Sequence, residues 1–83
     1  MSYHLQAIPK GQYGELSKIR EEVEEAIDAE KQNNPIMVLV ELSDIIGAID
    51  GYITKKYDGK INLADLIVMS MATSRAFRSG ERE

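Results

Sequence analysis

The sequence contains no cysteine and no tryptophan, one histidine, one phenylalanine and two prolines in 83 residues. Without cysteine there is no disulfide framework, no thiolate metal site and no cysteine nucleophile. His4 stands alone near the amino terminus, so it cannot build a histidine-rich ligand set and is read as a residue of an arm. A basic surplus is missing too. The formal charge is -4, which removes the electrostatic footprint that draws a protein to duplex nucleic acid. The longest apolar stretch, Pro35 to Ile53, is interrupted by Glu41, Asp44 and Asp50, and such charges are costly in a bilayer. Met1 to Lys10 has no basic start followed by an apolar run, so neither a signal peptide nor membrane contact is expected and the location is read as cytoplasmic.

What is present is an ordinary globular composition, 43% hydrophobic and 29% charged, on a chain long enough for one small domain. A domain of this length removes only a modest share of its apolar surface from water when it folds alone, which makes self-association an expectation from the outset. No repeat or linker divides the sequence. Residues 1–13, with Pro9 and Gly11 and with Gly14 directly after them, lack a helical period and are read as an extended arm. Residues 14–80 carry the helical signals, and residues 81–83 form a fraying tail.

The helical part divides into three. From Glu15 to about Gln32, Leu16, Ile19, Val23, Ala26 and Ile27 recur at spacings of three and four, the stripe of an amphipathic helix. Asn33-Asn34-Pro35 breaks it, with Asn34 suited to cap a second helix and Pro35 to open it. That helix runs to about Tyr57, where Asp58-Gly59 supplies a left-handed stop. Its core face is expected to hold Val38, Leu42, Ile45, Ile46, Ile49 and Ile53. Asn62 with Asp65 forms a variant capping box for a third helix, which carries Leu63, Leu66, Ile67, Met69, Ala72, Ala76 and Phe77 towards Gly80.

Chemistry is expected on the remaining face of the second helix. Glu41 and Asp44 sit there among Met37, Val40 and Ala48. Two carboxylates within one turn of a buried face are expensive unless a cation or hydrogen-bond donors compensate them. Residues three apart on a helix point the same way, so Glu41-x-x-Asp44 can present both carboxylates to one ion. The first helix offers Glu22-x-x-Glu25 at the same spacing, and an antiparallel hairpin lets the four side chains converge. An all-oxygen ligand set suits magnesium or manganese rather than zinc or copper. A di-iron carboxylate centre is excluded, because it requires Glu-x-x-His motifs that this sequence lacks. Taken alone, the run from Arg20 to Glu25 reads equally as a solvated acidic face; the second pair, set in an apolar helix, tips the balance towards a metal site.

Lys18-Ile19-x-Glu21-Glu22-Val23-x-Glu25-Ala26, followed after a spacer from Ala26 to Val40 by Glu41-Leu42-Ser43-Asp44-Ile45-Ile46, resembles the MazG-like all-α nucleoside triphosphate pyrophosphohydrolases. Their hallmark is Glu-x-x-Glu, a spacer and Glu-x-x-Asp. Met71 to Phe77 with Gly80 is similar to the closing helix of small, often phage-type members, where a basic residue approaches the triphosphate. Many relatives have an asparagine and a lysine in that helix, where this chain has Thr73, Arg75 and Arg78.

The caps and periodicity give an all-α, three-helix chain, one helix fewer than many relatives, and the resemblance implies that it assembles into an oligomeric bundle, a homodimer or homotetramer. It implies magnesium-dependent hydrolysis of a nucleoside triphosphate to monophosphate and pyrophosphate, in house-cleaning or in control of a nucleotide pool. Glu22, Glu25, Glu41 and Asp44 are then metal ligands or the base for water, with the division of roles open. Lys18, Lys55, Arg75 and Arg78 are the candidates for the remaining phosphate oxygens. The competing reading is a non-catalytic helical oligomer that binds a nucleotide or a protein and keeps its acidic pairs as salt bridges. Base and sugar preference are not legible at this level.

Overall fold

Residues 4–80 are described in a computed structural model and form three helices with no strand among them, α1 (Leu16–Lys31), α2 (Pro35–Tyr57) and α3 (Leu63–Ser79). The start of the expected arm and the tail at residues 81–83 lie outside the described residues. The boundaries follow the local signals closely. Asn34 Oδ1 accepts the Met37 N–H at 3.1 Å, and Pro35 occupies the first helical position. At α3 the capping box is reciprocal: Asn62 Oδ1 accepts from the Asp65 N–H at 3.0 Å and Asp65 Oδ2 from the Asn62 N–H at 2.9 Å. Asp58 closes α2 with φ 49°, and Gly80 closes α3 with φ 82°. Asparagine and aspartate tolerate this left-handed backbone better than other side chains, which also suits Asn33, φ 56°, in the α1–α2 turn.

The start of α1 differs, because Glu15 provides no side-chain cap. Its turn is held instead by the Glu15 N–H on the Gln12 carbonyl at 3.0 Å and by the Gln12 N–H on Ser17 Oγ at 3.1 Å. The arm is thereby tied at Gln12 to the first turn of the helix.

α1 and α2 form an antiparallel hairpin, and the face they bury against each other is not the expected one. Of the apolar residues assigned to a core, only Ala26 and Ile53 are buried. Leu16, Val23, Ile27, Leu42 and Ile46 are exposed, and Ile19, Val38, Ile45 and Ile49 are half-buried. The seam consists of small residues and carboxylates: Ala29, Ala48 and Gly51 together with Glu21, Glu22, Asp28 and Glu41. The physical reason is steric and electrostatic. Ala29, Ala48 and Gly51 let the two backbones close, and arm groups supply donors to some of the acids. Hydrophobic stabilisation from such a seam is small, about 2 kcal/mol for Ile53 and less than about 1 kcal/mol for each alanine methyl.

α3 adds no burial; none of its residues is buried, and it touches α2 but not α1. The radius of gyration is 14.5 Å, against about 12 Å for a compact chain of this length. Ile36, Leu39, Val68 and Met69 are each more than 60% exposed, so a broad apolar surface runs over α2 and α3. No helix among the described residues is long and apolar enough to cross a membrane.

Candidate metal centre

Three of the four acids of the two pairs meet across the seam, and Glu25 groups with Glu21 and Glu22 on its own helix. One carboxylate oxygen from each of Glu22, Glu41 and Asp44 lies within 4.8 Å of the others, and a second group of the same kind joins Glu22 to Glu21 and Glu25. Glu22 is common to both. Glu41 is only 1% exposed, and it and Asp28 are the largest fully buried side chains among the described residues. The donor set is therefore all oxygen, contributed by two helices, and compatible in reach with a hard divalent cation.

The electrostatics of these acids differ because their partners differ. Burial pushes the Glu25 carboxyl up, a hydrogen bond with Glu21 and the charges of Glu22 and Glu41 push it further, and it reaches about 7 from an ordinary 4.5. Glu22 is also raised, chiefly by burial, with Lys18 opposing. Glu21 moves the other way. The Gly11 N–H donates to its Oε1 at 2.8 Å and holds the carboxyl below its usual range, with Lys18 helping at 3.2 Å.

The arm reaches the cluster from its far side. Burial alone would raise Asp28, but the Gln32 amide, the Leu5 N–H, which lies 2.9 and 3.1 Å from its two oxygens, and His4 together hold it low. His4 Nε2 lies 3.2 Å from Glu25 Oε1 and Nδ1 lies 3.6 Å from Asp28 Oδ1. His4 is thus an arm residue, as read from the sequence, but one that rests on the acidic seam. Glu21 and Asp28 were not singled out from the sequence. The available signal was a second stripe on α1, Glu21, Glu25 and Asp28 at spacings of four and three, with Ala29 beside it.

The basic candidates are distributed unevenly. Lys18 Nζ sits 3.2 Å from both Glu21 Oε1 and Glu22 Oε1. The hydrogen bond to Glu21 is the main cause of its raised pKa, with burial opposing and Glu22 assisting. Lys55 lies against Gly14 and lines a cleft with Ser17 and Tyr52. Arg75 and Arg78 are exposed on the second half of α3, a helix that does not approach α1. An open cleft of about 450 Å³ lies between Tyr13, Ser43, Gly47 and Asp50 and opens onto Glu22 and Asp44.

Comparison with protein-family models, with curated proteins and with solved structures returns no match for this chain, so a functional reading rests on the chemistry of the seam.

Proposed function

We propose that the protein is a magnesium-dependent nucleoside triphosphate pyrophosphohydrolase that releases pyrophosphate and leaves the monophosphate. The observation that carries this reading is the convergence of Glu22, Glu41 and Asp44 within 4.8 Å across two helices. Glu22 and Glu41 are buried while Asp44, expected on a buried face, lies at the exposed rim; the convergent carboxylates repel one another, and a divalent ion relieves that cost. Glu22, Glu41 and Asp44 would hold magnesium, or manganese, with Glu25 beside them. Bound magnesium supplies charge neutralisation at the phosphate oxygens.

The chain's own groups do the rest. A carboxylate outside the ligand set orients the attacking water by accepting its proton. Glu41, walled in by the hairpin, would keep a fixed direction as a ligand that a solvated carboxylate would lack. Lys18, released from Glu22 when the acids are otherwise compensated, can turn its ammonium to a phosphate oxygen. Lys55, Arg75 and Arg78 are the further phosphate candidates; α3 makes no contact with α1, so the arginines would have to come to the acids from a second copy. The exposed apolar surface of α2 and α3 supports a homodimer or homotetramer.

One observation favours the second reading, a non-catalytic oligomer that binds a nucleotide or a protein. Lys18 already pairs with Glu21 and Glu22, as expected of a salt-bridged seam. Turnover separates the two. With magnesium, the wild type should convert members of a panel of ribo- and deoxyribonucleoside triphosphates to monophosphate and pyrophosphate, and a chelator should stop it. Glu41→Gln should lose about 100-fold or more in kcat with its helical circular dichroism retained. Full activity in Glu41→Gln, or release of orthophosphate in place of pyrophosphate, would overturn the proposal.

A further inference from the structure

Just after the Glu-x-x-Asp pair, α2 carries two glycines four residues apart, Gly47 and Gly51. Glycine is the least favourable residue in a helix interior after proline, so each calls for a reason. Gly51 has one in the fold: a Cβ there would stand 2.4 and 2.6 Å from ring atoms of Tyr13 and 2.8 Å from its hydroxyl. Gly47 has none, since a Cβ at that position would meet nothing within 4 Å. What Gly47 does is line the cleft of about 450 Å³ that opens onto Glu22 and Asp44. That volume falls within the range of small-molecule sites.

The cleft has the features of a seat for a flat ring with a polar edge. Its floor at Gly47 is bare helix backbone, which a planar group can approach closely. One wall is Tyr13, whose ring lies on Gly51 and remains largely exposed otherwise, as an aromatic stacking partner must be. Ser43 and Asp50 line the same space and offer a hydroxyl and a carboxylate to N–H or O–H groups. We infer that this cleft holds the nucleoside half of the substrate, Gly47 setting its depth and Tyr13 stacking on the base, while the phosphates extend towards the cation that Glu22 and Asp44 would hold. This rests on the pyrophosphohydrolase reading and adds to it the place of the nucleoside and a residue that limits its size.

The test compares wild type, Gly47→Ala and Gly47→Leu on the triphosphate the wild type cleaves fastest, with inorganic tripolyphosphate as a competitive inhibitor lacking a nucleoside. Gly47→Ala should melt a few degrees higher, because it gains helix propensity without a clash, yet show a raised KM. Gly47→Leu should raise KM about tenfold or more, while the tripolyphosphate inhibition constant and the oligomeric mass stay as in the wild type. Unchanged KM in a folded Gly47→Leu overturns the inference, and so does a parallel weakening of tripolyphosphate, which would place the effect on the carboxylates. A changed oligomeric mass with unchanged KM assigns Gly47 to a subunit contact and overturns it as well. A wild type that cleaves no triphosphate removes the pyrophosphohydrolase reading and this inference together; cleavage indifferent to Gly47→Leu removes this inference alone.

Discussion

Glu21 and Glu25 stand one turn apart on α1 and are perturbed in opposite directions. The Gly11 N–H stabilises the Glu21 carboxylate, whereas burial, the hydrogen bond to Glu21 and the nearby acids favour a proton on Glu25. The consequence for stability follows from linkage. Glu25, raised to about 7, keeps its proton in the fold where the unfolded chain has lost it. Its contribution is therefore full below its ordinary 4.5 and is lost as pH rises through about 7. Glu22, also raised by burial, acts in the same sense. Glu21 and Asp28 are lowered, so theirs is present above the ordinary values of 4.5 and 3.8 and is lost as pH falls below them. The metal-free protein should accordingly have its highest melting temperature near pH 5 and a lower one at pH 7.5. Glu25→Gln should remove most of that decline, measured by thermal unfolding in chelator. A wild type that becomes more stable from pH 5 to 7.5 would contradict these environments.

At the scale of the element, the helices were legible because their ends are written in short-range chemistry. Asn34-Pro35, Asp58-Gly59, Asn62 with Asp65 and Gly80 each act within a few residues, and all four lie where the chain turns or stops. The faces were less legible. Periodicity separates apolar from polar sides, but which side meets the neighbouring helix depends on fit, and Ala29, Ala48 and Gly51 allow the acidic side to close first. The convergence of Glu22, Glu41 and Asp44 could be read from their spacing and the hairpin. The roles of Glu21, Asp28 and His4 could not, because they depend on where an arm without periodicity lies. α3 makes a further test of the local account. None of its own residues is buried, so its capping box matters more than usual. Asn62→Ala should destabilise it by about 1 kcal/mol and speed hydrogen exchange in α3 by about fivefold, leaving α1 and α2 protected. Equal loss of protection in all three helices would show that α3 is not a separate unit.

The whole molecule is inside out by ordinary standards, with acids in the seam and Leu42, Ile46, Ile67 and Phe77 outside. A chain of 83 residues with so small a hydrophobic seam has little to offset the entropy of ordering it. The proposed assembly through the apolar face would supply the missing burial and would bring Arg75 and Arg78 of one copy to the acids of another. Leu42→Glu, which puts a charge on that face, should shift the protein towards a monomer in light scattering and lower its melting temperature. A wild type that is monomeric at micromolar concentration would contradict the assembly. The proposed divalent cation site lies in the acidic seam. It is tested most directly by calorimetric titration of magnesium into metal-free wild type and into a Glu22→Gln, Asp44→Asn double variant at pH 7.5. Saturable binding by the wild type that is lost in the variant is the predicted result; equal binding by both, or by neither, would contradict it.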